Sequence, residues 1–279
     1  MPTMPVRDTA LYYEQTGTGP QLLFIHGMAG HAGVWTGQVD RLADQFTCIT
    51  YDRRGHTRSA AGTERESVQT HAADAAALIE ALGLTRPLVV SSSGGARIAV
   101  ELARTRPDLP AGAVLSEPPI FSLEPAAGEA FLAEVRDAVA PAAQAGGPRA
   151  AVDAFFALVC PGLWSTLDEA GKDRYRDNAD MVLAEVTAQP YQLGLDQVAA
   201  IQVPALVIAG TTSHPALRAI AATLARTLPT ARLLTLTGSG HVTYAERPEE
   251  FATAVRDFAQ QLGVLSDRAV ADIGVRGAT

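Results

Sequence analysis

Lysine is almost missing from this chain of 279 residues. Of its 22 basic side chains only Lys172 is a lysine, and the rest are arginines. Acidic residues number 30, which leaves a formal charge of −8. No basic run occurs, so nucleic acid is not an expected partner, because such proteins concentrate cations against phosphate. No apolar stretch reaches the roughly 18 residues a membrane-spanning helix needs. Residues 1–10 lack an apolar segment behind a basic start, so no signal peptide is expected. Cysteine is scarce too: Cys48 and Cys160 lie far apart and outside any metal-binding spacing. Both are read as small buried packing residues, with no disulfide framework or zinc site, and a reducing cytoplasm fits. No metal-ligand set and no glycine-rich dinucleotide fingerprint is found, so neither metal nor cofactor is expected.

What remains is a folding composition, 47% hydrophobic and 19% charged, on a chain long enough for one large domain or two small ones. Short apolar runs recur: Leu22 to Ile25, Phe46 to Tyr51, Leu88 to Val90, Ala113 to Leu115, Ala205 to Ala209 and Arg232 to Leu236. Near-continuous apolar strands indicate a sheet covered on both faces. Helical patterns separate them, over Glu66 to Leu82, Ala96 to Arg104, Pro215 to Thr227 and Pro248 to Leu262. This alternation predicts an α/β fold with a mostly parallel sheet flanked by helices. Leu11 to Gln15 reads as an antiparallel edge strand before the parallel run. From Phe121 to Gln197 the rhythm breaks into helices only, over Glu129 to Ala143, Pro148 to Val159 and Asp168 to Ala188. The expected organisation is a core over 1–120, an inserted helical cap over 121–197, the rest of the core over 198–264 and a loose tail over 265–279.

The strand Leu88 to Val90 runs into Ser91-Ser92-Ser93-Gly94-Gly95 and then a helix. Strand, cramped turn and helix are the context of a nucleophile elbow, which needs small residues two before and two after the nucleophile. With Ser93 those are Ser91 and Gly95. With Ser92 one would be Val90, which clashes. Ser93 is therefore the candidate, beside the alternative of a plain Ser/Gly turn. The glycine-rich loop His26-Gly27-Met28-Ala29-Gly30 follows the first buried strand, where backbone N–H groups can face a developing oxyanion. Met28 and Gly94 are the expected donors, and His26 is read as structural. The turn Asp52-Arg53-Arg54-Gly55 reads as a rigid scaffold. His241, in Gly238-Ser239-Gly240-His241, is the one histidine of six on a loop beyond a strand end, where a general base belongs. His56 and His71 read as surface or turn residues.

These marks, in this order, resemble the α/β-hydrolase superfamily over roughly Leu11 to Leu262. The resemblance implies that fold, an inserted cap and a serine–acid–histidine triad. One position departs. Members usually carry an aspartate three residues after the glycine ending the penultimate strand, but here Gly210 is followed by Ser213. Either the triad is broken or its acid lies elsewhere. Glu117, just past the strand that follows the nucleophile strand, is the alternative. Some members place their acid there, haloalkane dehalogenases among them. With Tyr12-Tyr13-Glu14-Gln15, Gly17-Thr18-Gly19-Pro20 and the serine-rich elbow, Glu117 also makes the chain look like the zearalenone lactonases. That resemblance implies Ser93, Glu117 and His241 as catalytic residues acting on an ester or lactone.

Within the cap, Trp164, Phe121 and Tyr191 are the expected substrate-facing aromatics. No cluster of Arg or Lys marks an anionic substrate, so an apolar or aromatic small-molecule ester or lactone is expected. Two alternatives stay open: a carbon–carbon bond hydrolase on the same triad, and a ligand-binding protein with a crippled one. Neither nucleic acid nor membrane is an expected partner, and a homodimer is left open.

Overall fold

Eight strands form one sheet in the order β1-β2-β4-β3-β5-β6-β7-β8. They are β1 (Thr3–Val6), β2 (Thr9–Thr16), β3 (Gln21–Ile25), β4 (Thr47–Tyr51), β5 (Leu88–Ser92), β6 (Gly112–Ser116), β7 (Ala205–Gly210) and β8 (Ala231–Leu236). The computed structural model describes residues 2–265. The proposed tail therefore lies, but for Leu265, outside the described residues. From β4 across to β8 every pairing is parallel, as the apolar runs predict. β2 pairs antiparallel with β4, but it is not the edge. The edge is β1, a further antiparallel strand that sequence reasoning missed. Its four residues, Thr-Met-Pro-Val, are too short and too mixed to show a period.

Why the central strands read as unbroken apolar runs is plain from their burial. β5, β6 and β7 are buried at every position, because helices cover both faces. One face packs on α2 (Val68–Ala81), α3 (Gly94–Thr105) and α9 (Pro215–Thr227). The other packs on α1 (Thr36–Leu42) and α11 (Pro248–Gln261), with Trp35 and Phe251 fully buried between. Each of these helices presents a stripe of apolar residues to the sheet.

Between β6 and β7 the chain leaves the sheet for five helices: α4 (Pro125–Val159), α5 (Pro161–Thr166), α6 (Glu169–Arg176), α7 (Ala179–Thr187) and α8 (Leu195–Ala199). α4 is interrupted at Gly147, whose φ of 76° no helix tolerates, and Pro148 restarts it. The expected third helix is two, α6 and α7, parted at Asn178. A separate apolar cluster joins α4, α5, α6 and α7 to Leu217 of α9 and to Ala29 and Val242 of the core loops. No described helix is long and apolar enough to cross a membrane.

Candidate active site

Ser93 sits between the end of β5 and the start of α3 with φ 54° and ψ −125°. A left-handed φ is costly for any residue with a Cβ, and such strain persists only where the surroundings enforce it. Here they do. The Ser93 N–H donates to the Ser116 carbonyl at 2.9 Å, and the Ala96 N–H donates back to the Ser93 carbonyl at 2.8 Å. Gly95 is obligatory, since an added Cβ would meet the carbonyl oxygens of Ile25 and His26. Ser91 works in place of the usual glycine because it is small and donates its buried hydroxyl to the Val114 carbonyl at 2.7 Å.

His241 follows β8 and lies just before α10 (Thr243–Glu246). Its Nε2 is 2.9 Å from Ser93 Oγ. Its Nδ1 is 3.3 Å from Glu117 Oε2, and the two side chains are 6% and 0% exposed. Glu117 follows β6 directly, again with a left-handed φ, 51°. Its carboxylate is held on both oxygens. Oε1 accepts from the Gly210 N–H at 2.7 Å, and Oε2 accepts from Ser213 Oγ at 2.5 Å. A carboxylate this deep would be prohibitive without such donors. The departure at position 213 thus has a structural sense: the serine donates to the Glu117 carboxylate from where an aspartate usually stands.

The loop after β3 brings Met28 to the same place. An added Cβ on Gly94 would lie 3.4 Å from Met28 N, and one on Gly27 would lie 3.5 Å from Ser93 Oγ. The N–H of Gly94 heads α3, where helix N–H groups have no internal acceptor. His26 holds this loop as read from the sequence. Burial pushes its pKa far down, so it is neutral. Its Nδ1–H donates to the Gly27 carbonyl at 2.8 Å, and its Nε2 accepts the Arg53 N–H at 3.0 Å. Asp52 ties the turn to the loop by accepting from the Ala32 N–H at 2.6 Å and from Arg58. Sequence reasoning missed Asn178, whose amide donates to the carbonyls of Ala29 and Gly30, each at 3.0 Å, and accepts from the Thr57 N–H. A lone asparagine between two helices carries no pattern that would mark it.

A cavity of about 330 Å³ opens between Ser93, His241 and the helical segment. Phe121 and Tyr191 line it, with Phe131, Val135 and Phe155 completing an apolar wall. Trp164 does not line it. Its loop is α5, which turns the indole onto Phe156, stacked at 4.8 Å and 18°, with Tyr175 at its edge. The expected substrate-facing tryptophan is packing inside the helical segment. His56 lies in the turn after β4, as expected, but is buried there, whereas His71 differs from expectation, being buried on α2. The largest correction is electrostatic. Arg53, Arg97, Glu185, Glu66 and His71 form a polar end to the cavity, although no basic cluster shows in the sequence. These residues come from separate segments and meet only in the fold.

Residues 22–254 match the alpha/beta hydrolase family. The chain belongs to that family. The described sheet and flanking helices are its fold. Among relatives of this hydrolase, a putative carbamate hydrolase of Azorhizobium caulinodans is 26% identical over 273 residues, 94% of this chain and 99% of its own. An uncharacterized hydrolase of Bacillus subtilis is 35% identical over 108 residues, which is 38% of this chain and only 40% of that relative. A solved structure, Est816, described as an N-acyl homoserine lactone degrading enzyme, has a TM-score of 0.72 at 26% identity and covers 92% of this chain and 100% of its own.

Proposed function

We propose that this α/β hydrolase cleaves a carboxylic ester or lactone, with Ser93 as nucleophile, His241 as general base and Glu117 as the acid behind it. The observation that carries the proposal is the unbroken relay from Ser93 Oγ to His241 Nε2 to Glu117 Oε2. The carboxylate accepts Nδ1–H, which leaves the Nε2 lone pair facing the hydroxyl. His241 takes the Ser93 proton as Oγ attacks the carbonyl carbon. The tetrahedral oxyanion lies against the N–H groups of Met28 and Gly94, each lowering the barrier by about 3 kcal/mol. His241 then protonates the leaving alkoxide, and water releases the acyl group by the same route. In a lactone the alkoxide stays tethered to the acyl group, so ring opening yields one product. The helical segment over 121–197 acts as the cap that roofs the site, and its apolar wall supports an ester with apolar or aromatic parts. The lactone-degrading relative supports a lactone within this class, and the zearalenone-type macrolactone is the sharpest version. An assembled triad weighs against a bare ligand-binding scaffold.

A fluorophosphonate probe labels the wild-type protein, and mass spectrometry of an ester and lactone panel that includes zearalenone detects hydrolysis. An unlabelled protein, or one that turns over only a vinylogous diketone, sinks the ester reading.

Ser213 is the second expected effect at this site. Ser213→Ala removes one donor to Glu117 while the Gly210 N–H remains, so kcat falls about 3–30-fold with KM nearly unchanged. That range, about 0.7–2 kcal/mol, is a fraction of the roughly 1.5–3 kcal/mol of a hydrogen bond to a charged group, because the second donor is kept. Steady-state kinetics on any panel substrate checks it, and a loss as large as that of Glu117→Ala would assign the acid's work differently.

A further inference from the structure

The polar end of the cavity holds charges that ester cleavage does not use. Arg53 comes from the turn after β4 and Arg97 from the first turn of α3. Glu185, on α7, sits between them. One carboxylate oxygen accepts from Arg53 Nη2, and the other accepts from Arg97 Nη2 at 3.0 Å. The side chains of Arg53, Arg97 and Glu185 are 1%, 12% and 15% exposed. Burial resists ionisation of Glu185, but the two guanidinium groups outweigh it and hold its carboxyl below the usual range. Facing them, Glu66 is pushed up to about 7, chiefly by burial. His71 is pushed far down by burial and then by Arg53, and His56 is pushed down to about 3 by the same two causes. Both imidazoles are therefore neutral. Arg53 and Arg97, with Arg65 also on the cavity wall, thus face one firm carboxylate and a Glu66 that is only part-ionised near neutrality, and the balance is positive.

The hydrogen bonding is incomplete in the same sense. Nε and Nη1 of Arg53 and Nε of Arg97 are buried without a partner among the described residues. All three are donors, and a buried donor left unpaired is destabilising. Glu66 Oε2 and His56 Nε2 are also without a hydrogen-bond partner, but neither bonds these guanidinium nitrogens, which still lack an acceptor. Its place is beside the nucleophile: a Cβ added to Gly94 would lie 3.5 Å from Arg53 Nη1 and 3.4 Å from Arg97 Nη2, and also 3.4 Å from Met28 N. The free Nη1 of Arg53 and the Glu185-bound Nη2 of Arg97 adjoin the N–H groups assigned to the oxyanion, within reach of the acyl part of a bound ester.

We infer that Arg53 and Arg97 form a carboxylate-binding subsite, selecting acyl groups that carry an acid, such as half-esters of short dicarboxylic acids or lactones bearing a carboxylate. This deepens the ester-hydrolase reading and rests on it. Charge complementarity favours an anion over a neutral acceptor, and guanidinium groups are the usual partners of buried carboxylates. The apolar wall then takes the alcohol part or the rest of the ring.

The test is calorimetric binding to the Ser93→Ala protein, which needs no turnover. Monoethyl glutarate is expected to bind at least tenfold tighter than ethyl pentanoate, its neutral analogue. Arg97→Met and Arg53→Met, each in that background, should bring the two within about threefold. Glu185→Gln should raise the preference, because it removes the competing charge, an effect no purely structural role produces. Thermal unfolding checks that each variant folds. If Arg53→Met, the more buried of the two, does not fold, Arg97→Met decides alone. Equal binding of the two esters, or a preference that survives Arg97→Met, overturns the inference. The active protein separates the two proposals. Ester turnover without acid preference fails the subsite alone, whereas acid-selective binding without turnover fails the hydrolase reading alone.

Discussion

Ser93→Ala loses all fluorophosphonate labelling, and its ester turnover falls by about five to six orders of magnitude. Removing a nucleophile that acts as a unit with its base forfeits the covalent route altogether, and other serine hydrolases show losses of that size. What survives is binding and the oxyanion N–H groups, so KM changes little. The variant is structurally mild. Alanine keeps the Cβ, so the strain at φ 54° is unchanged. The Ser93 side-chain contact given up is the one to His241 Nε2. Retained labelling, or turnover within tenfold of wild type, would remove Ser93 from the mechanism. Circular dichroism and a thermal midpoint close to wild type exclude misfolding as the cause.

Glu117 carries the second large effect. Glu117→Gln lowers kcat by about three to four orders of magnitude, measured with the same ester. An amide that turns its NH2 toward Nδ1 puts the ring proton on Nε2, where it can no longer accept from Ser93. Glu117→Ala has a similar cost, since the imidazolium loses its counter-charge. The geometry also allows a rescue. Ser213 Oγ is 2.5 Å from the Glu117 carboxylate, so an aspartate at 213 places its charge almost where the glutamate had it. Glu117→Ala with Ser213→Asp should recover at least tenfold over Glu117→Ala. No recovery, with the double variant folded, would mean that His241 is oriented from β6 in a way a shorter acid from the loop after β7 cannot copy.

That Glu117 was legible as the candidate acid depended on an absence. Ser213 is conspicuous only against the resemblance, and Glu117 only as a carboxylate just past an apolar strand. Ser93 and His241 announce themselves as candidates by local context, because an elbow and a strand-end loop are short-range structures. Phe121 and Tyr191 could be named as aromatics near the helical segment, and both line the cavity. Trp164, expected to face the substrate, was misplaced, since a six-residue helix decides which way its indole turns. Arg53 was hidden differently. The Asp-Arg-Arg-Gly turn has a sufficient structural reading, and it holds for Asp52 and for Arg54, which pairs with Asp8 and Asp74. Only the side chain of Arg53 departs from it.

By itself the sequence determined the sheet, its parallel core, the helical insertion and the elbow, because these follow from apolar periodicity and tight-turn sterics within a few residues. Its 51 alanines blurred the helices of the insertion, where an alanine face gives little contrast between inside and outside. Tertiary structure alone decided that Glu117 faces His241, that Ser213 completes the Glu117 carboxylate's hydrogen bonds, and that two arginines and a glutamate from three elements meet beside Ser93. Such contacts span dozens of residues along the chain, and their energy depends on burial and on angles that no local pattern records. In a chain with one lysine, the cations that matter are two arginines placed by the fold.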